Sequence, residues 1–219
     1  MNLLTTLAAV GVAYLVGSLS FAVIVSRAMG LSDPRSYGSG NPGATNVLRS
    51  GNKLAALLTL AFDALKGYVP VLAAWWLAPR FGWGEHTIGL VGLAAFVGHL
   101  WPVFFRFQGG KGVATAAGVL MALNPLLGAA TLLTWVIIAA FTRYSSLAAI
   151  VAAAFAPFFL LLNWGVTPML LAVTVMSLLL VWRHSANISK LLAGTESKLG
   201  QKTAPPAAAP HHPPSKRKH

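Results

Sequence analysis

"MNLLTTLAAVGVAYLVGSLSFAVIVS", residues 1–26, contains no charged side chain. A helix rises about 1.5 Å per residue and bilayer hydrocarbon is about 30 Å thick, so roughly 20 such residues can cross it. The rest of the chain repeats the pattern. Charge-poor stretches cover 54–79, interrupted by Asp63 and Lys66, then 86–105, 112–142 and 144–182. Of the 219 residues 56% are hydrophobic and 9% charged, against about a quarter charged in soluble domains. The sequence therefore specifies an all-α integral membrane protein.

The longer stretches must be divided, and turn-favouring residues show where: Asn124-Pro125 and "NWGVTP" at 163–168. About seven transmembrane helices result, near 3–26, 53–78, 87–101, 112–123, 125–141, 145–162 and 166–182. The fourth is too short to cross untilted. The N-terminal stretch lacks a basic leading region and precedes further spans, so it reads as a retained helix and not a signal peptide. With seven spans, fourteen Lys and Arg residues fall on one side and Arg80 alone on the other, Lys66 lying within a helix. The positive-inside rule then places the N-terminus outside and the C-terminus in the cytoplasm.

Residues 1–200 form one transmembrane domain. Residues 201–219, "QKTAPPAAAPHHPPSKRKH", are Pro/Ala-rich and basic and read as a disordered cytoplasmic tail that touches anionic lipid at most. The net charge of +12 has its origin in topology and in this tail, so no nucleic-acid partner is expected. With no cysteine there is no disulfide, thiolate metal site or cysteine nucleophile. Nothing in these features requires a second copy, so a monomer is compatible with them.

Three polar, glycine-bearing segments fall on the side assigned to the cytoplasm: "SYGSGNPGATNVLR" (36–49), "GHLWPVFFRFQGGKGVAT" (98–115) and "WRHSANISKLLAGTESKLG" (182–200). In the second, Gly109, Gly110 and Gly112 let backbone amides converge while Lys111 adds a mobile charge and a helix N-terminus follows, a combination suited to phosphate. It is not a Walker A loop, because Gly112 follows the lysine. In the first, Gly38, Gly40 and Gly43 allow close approach, Ser39, Asn41, Thr45 and Asn46 offer short donors and acceptors, and Arg49 supplies a guanidinium fork. The competing structural reading is a capping loop with Thr45 or Asn46 as N-cap of the second helix. In the third, His184 and Asn187 share a face if the seventh helix continues one turn. Arg183 alone would be an interfacial anchor. Asp63 and Lys66, at i and i+3, can neutralise each other in the membrane, and of the two it is Lys66 whose long side chain can snorkel toward a ligand.

Absent patterns narrow the chemistry. None of the four carboxylates, Asp33, Asp63, Glu85 and Glu196, is spaced with another as a metal pair. The five positions after His99 and His184 end in Phe104 and Ser189, so the His-x4-Asp arrangement of soluble-type acyltransferases is missing, as is a Gly-x-Ser-x-Gly elbow. No metal, no cofactor and no acyl-enzyme are expected.

Taken together, the three segments resemble the motifs of the bacterial acyl-phosphate-dependent glycerol-3-phosphate acyltransferase family, PlsY, over about residues 8–200. Arg143, Tyr144, Ser146 and Leu147 also match that family's Arg-Tyr-x-Ser-Leu pattern, whereas Lys190 stands where arginine is common. The resemblance implies acyl transfer from acyl phosphate to the sn-1 hydroxyl of glycerol 3-phosphate at the bacterial inner membrane, giving lysophosphatidic acid and phosphate. Lys111, His184, Asn187, Ser39 and Arg49 would be the catalytic set. By motif position Ser39, Thr45, Arg49, Lys111 and the amides of Gly109, Gly110 and Gly112 bind phosphate. On the same resemblance His184, Asn187 and Ser146 would hold glycerol 3-phosphate, and Glu196 would order the third segment. Gly38, Gly40, Asn41, Gly43 and Asn46 complete the substrate-binding set. The resemblance implies substrate assistance, with the leaving phosphate as proton acceptor, and His184 as general base is the competing possibility.

Overall fold

The computed structural model describes residues 3–200, and the tail expected at 201–219 lies outside them. The described residues contain helices and no strand. Ten α-helices follow one another: α1 Leu3–Gly17, α2 Phe21–Ala28, α3 Ala44–Leu48, α4 Lys53–Phe81, α5 Glu85–Leu100, α6 Val113–Leu123, α7 Pro125–Thr142, α8 Ser145–Trp164, α9 Pro168–Arg183 and α10 Ser185–Leu192. Among the described residues four helices are long and apolar enough to cross a membrane, one of them continuing from α5 through the 3-10 turn Val103–Phe105, and up to six spans result if α1 with α2 and α9 with α10 each count as one.

The differences from the sequence reading have local causes. The helix expected over 3–26 breaks at 18–20 and bends by 43°. There "GSLS" offers a Gly/Ser pair, Ser18 Oγ donates to Tyr14 O at 2.8 Å, and Lys66 Nζ donates to Leu19 O at 2.7 Å. α4 runs past Pro79 to Phe81 and ends on Gly82 in the left-handed conformation, φ 64°. Its N-cap is Asn52, which accepts from Ala55 N at 2.9 Å, so neither Thr45 nor Asn46 caps it. α6, at 11 residues, is as short as expected and covers about 16 Å.

Packing draws the backbones together. α4 lies on α6, α1 on α5 and α7 on α8. Gly17 and Gly118 stand where a Cβ would collide with the carbonyl oxygens of Ala95 and Ala64, which is how α1–α5 and α6–α4 approach so closely. Phe96, Leu100, Val119 and Leu127 are fully buried at the centre of the core. The ion pair read from the sequence is present: Lys66 Nζ lies 2.7 Å from Asp63 Oδ1, both side chains almost wholly buried. His99 extends it, with Nδ1 3.7 Å from Asp63 Oδ1 and 3.1 Å from Thr115 Oγ1, which itself donates to Asp63 O at 2.9 Å.

Candidate active site

The three polar segments meet at one end of the helix bundle, around a cavity of about 940 Å³. Its mouth carries Ser39, Arg49, Lys111, Ser146, His184, Asn187, Glu196 and Ser197, while Ala116, Leu120, Ala149, Ala153, Val173 and Met176 line the interior. A cationic, hydrogen-bonding rim thus opens onto an apolar shaft, which suits an amphiphile with an anionic head.

Sequence-distant side chains are knitted together at the rim. Lys111 Nζ donates to Asn187 Oδ1, and Asn187 Nδ2 donates to Glu196 Oε1 at 2.7 Å. Ser146 Oγ reaches the same carboxylate oxygen at 2.7 Å. Arg49 Nη2 donates to Ser197 Oγ at 2.6 Å. The segment is closed from behind, where Leu199 N donates to Arg143 O at 2.7 Å and Arg143 Nη2 to Leu199 O at 3.0 Å. Glu196 therefore orders the third segment by receiving two donors on one oxygen.

Burial among neighbouring cations tunes two groups at this rim. Lys111 is pushed down to about 8, chiefly by burial, with Glu196 acting the other way and Lys190, Arg183 and Arg49 reinforcing the shift. His184, 3% exposed at the end of α9, is pushed down to about 4, again mainly by burial. Its Nδ1 lies 2.8 Å from Leu180 O, which can only accept, so Nδ1 carries the proton and Nε2 keeps its lone pair. The imidazole is neutral at physiological pH.

Of the residues singled out in the sequence, Asn41, Gly43, Thr45, Asn46 and Gly112 also line the cavity, whereas Gly38, Gly40, Gly109 and Gly110 do not. Two assignments need correction. Asn46 is 2% exposed and its amide is committed to the loop: Oδ1 accepts from Ser39 N at 3.0 Å, and Nδ2 donates to Pro34 O at 2.6 Å and Tyr37 O at 3.1 Å. It shapes the loop and has no side-chain donor left for substrate. Gly110 N donates to His99 O at 3.1 Å, so that amide does not face an anion. A Cβ at Gly110 would strike His99 Nε2, and one at Gly109 the carbonyl oxygens of His99 and Leu100. These two glycines seat the loop on α5.

Two contributors escaped the sequence reading. Arg183 is more than an anchor: its Nη2 donates to Gly109 O and Gly110 O, both at 2.9 Å, and its Nε to Gly110 O at 3.1 Å. Its signal was the lone arginine at a helix end opposite a glycine pair whose carbonyls would need donors. Ser197, which accepts from Arg49, had none.

A family model described as glycerol-3-phosphate acyltransferase matches residues 7–194. A glycerol-3-phosphate acyltransferase of Ralstonia nicotianae is 66% identical over 193 residues, covering 88% of this chain and 93% of the relative. Its counterpart in Paraburkholderia phytofirmans is 64% identical over 198 residues, covering 90% and 92%. Among solved structures, PlsY, an integral membrane glycerol 3-phosphate acyltransferase, resembles this chain in its glycerol 3-phosphate form with a TM-score of 0.83 and 40% identity, covering 90% of this chain and 96% of that one. Its lysophosphatidic acid form gives 0.81 and 39%, covering 89% and 95%.

Proposed function

From the membership of this chain in the glycerol-3-phosphate acyltransferase family, we propose that it moves a fatty acyl group from acyl phosphate to the sn-1 hydroxyl of glycerol 3-phosphate. The protein is a membrane acyltransferase of phospholipid synthesis; the donor, the position acylated and the residue roles are the proposal. The observation that carries it is the cavity itself, a cationic rim above an apolar shaft. Both substrates carry phosphate and one also carries a long alkyl chain.

In this reading the chain of the donor enters the shaft and its phosphate stays at the rim with Ser39, Arg49 and Lys111. Asn187, held by Glu196, and His184 position glycerol 3-phosphate. The hydroxyl oxygen attacks the acyl carbonyl carbon, the bond from that carbon to the phosphate oxygen breaks, and the leaving phosphate takes the hydroxyl proton. A mixed anhydride is already activated, so positioning and charge stabilisation by Lys111 supply the catalysis. In this reading the rim faces the cytoplasm at the bacterial inner membrane, with the N-terminus outside, an orientation that the excess of Lys and Arg in the loops on that side supports. Purified protein given acyl phosphate and glycerol 3-phosphate, without metal or acyl-CoA, is expected to release lysophosphatidic acid and phosphate. Turnover only with a thioester donor would overturn the donor assignment.

The pH dependence tests the roles of Lys111 and His184. Lys111 must be protonated to neutralise phosphate, and its shift to about 8 in the free enzyme makes kcat/KM fall as pH rises through that value. Bound phosphate favours the ammonium, so the corresponding limb in kcat lies higher. No inflection near 6.5 is expected from His184, which is already neutral there. His184→Ala is expected to slow the reaction without altering the profile between pH 5.5 and 7.5. A loss beyond about a hundredfold, together with disappearance of an acid limb near pH 4, would assign the base to His184 Nε2.

A further inference from the structure

Between α5 and Lys111 the chain reads "PVFFRFQ", residues 102–108. A 3-10 turn, Val103–Phe105, is followed by Arg106 at φ 54° and Phe107 at φ 58°, two successive side-chain-bearing residues in the left-handed region. L-residues adopt that conformation at a cost, and such strain concentrates where function holds it. Here the backbone is fixed by Phe107 N donating to Pro102 O at 3.0 Å and Gln108 N to Phe105 O at 3.1 Å. The outcome is an outward display: Phe104 and Phe107 are each 57% exposed.

Beside this loop lies a second pocket, about 490 Å³, lined by Arg27, Arg35, Phe104, Phe105, Arg106 and Gln108. It shares no lining residue with the catalytic cavity. Arg27 comes from the last turn of α2, Arg35 from the loop after it, and Arg106 from the strained turn. No acidic side chain among the described residues lines the pocket, although Arg35 Nη2 lies 2.6 Å from Asp33 Oδ2. Three guanidinium groups with one neighbouring carboxylate leave two positive charges, the complement of a phosphate monoester.

We propose that this pocket is a second anion site, taking the phosphate-monoester head group of a membrane lipid. The exposed phenylalanines give it an apolar rim suited to entering the boundary between hydrocarbon and head groups, where a lipid phosphate lies. Arginine forks are suited to phosphate oxygens at that depth. Charge placed only to orient the protein in the membrane would not draw three arginines from separate segments into one pocket. A site for free phosphate would have no use for the aromatic rim.

The test is binding of dioleoyl phosphatidic acid to the full-length protein in phosphatidylcholine micelles, followed by native mass spectrometry. Arg27→Gln and Arg106→Gln are each expected to weaken binding about fivefold, and the double variant about twenty-fivefold. Acyl transfer by the variants in detergent should persist, which reports that they fold. Arg80→Gln, an equal loss of charge in the last turn of α4 and outside this pocket, should bind as the unaltered protein does. Dioleoyl phosphatidylglycerol, a diester, should bind more weakly than phosphatidic acid, and inorganic phosphate should compete poorly. The proposal fails if Arg80→Gln weakens binding equally, or if inorganic phosphate displaces the lipid at comparable concentration. It also fails if only Lys111→Ala reduces lipid binding, because the lipid then occupies the catalytic cavity.

Discussion

Replacing Lys111 by alanine is expected to lower kcat/KM for acyl transfer at least about a hundredfold, the loss that follows removal of one charged donor from a preorganised site. The ammonium stands between α5 and α6, bonded to Asn187 and within the field of Glu196, Lys190, Arg183 and Arg49. Its removal takes away the mobile charge beside the reacting groups and unties Asn187 from that side of the rim. Arg49→Ala, which frees Ser197, is expected to lose at least about 2 kcal/mol of transition-state stabilisation by the same reasoning. Melting temperature should not fall for Lys111→Ala, since burial and the neighbouring Lys190, Arg183 and Arg49 already disfavour the ammonium in the folded protein. Steady-state kinetics on the purified variant decide the matter. Activity within tenfold of the parent would remove Lys111 from the chemistry.

Asp63→Ala should have the largest effect on stability, about 3–5 kcal/mol, because it leaves a buried ammonium without its counter-charge. The side chains of Lys66 and Asp63 are 2% and 3% exposed. Lys66 would retain only the Leu19 carbonyl and the Phe21 ring face, 5.8 Å from its nitrogen. Thermal unfolding in detergent is the measurement, and a fall of about 10 °C is the expected scale. A double variant, Asp63→Leu with Lys66→Met, separates charge imbalance from lost packing: it should recover most of the loss, since replacing a buried pair by apolar residues is often neutral. If the double variant melts as low as Asp63→Ala, the pair acts through its hydrogen bonds and not through charge balance.

Much of the site was legible because polar residues are scarce in this chain. Against 9% charged residues, four short polar side chains and an arginine within residues 39–49 could not be explained by one helix cap. The same contrast picked out Lys111, Asn187 and Glu196, and the rim joins all three. What stayed hidden depends on long-range partners. Asn46 and Asn41 look alike in sequence, yet Asn46 turns inward to Pro34 and Tyr37. Gly110 lost its expected role because its amide meets a carbonyl eleven residues earlier. Arg183 offered a charge at a helix end, and only the tertiary arrangement shows that it reads the Gly109 and Gly110 carbonyls. In the fold, the charge-poor stretches and turn residues gave the long helices but not the bend at 18–20, where a carbonyl is taken by a lysine forty-seven positions away.

Alanine occupies positions 149, 152, 153 and 156 along one wall of the shaft, so methyl groups alone set the clearance there. Over these seven steps α8 advances about 10 Å, comparable with the length of a medium alkyl tail. On the proposed reading, in which the donor's chain enters the shaft, this wall would act as a gauge with four marks. A valine or leucine at any one of them would then serve as a stopper at that height and shorten the tail admitted while leaving the rim untouched.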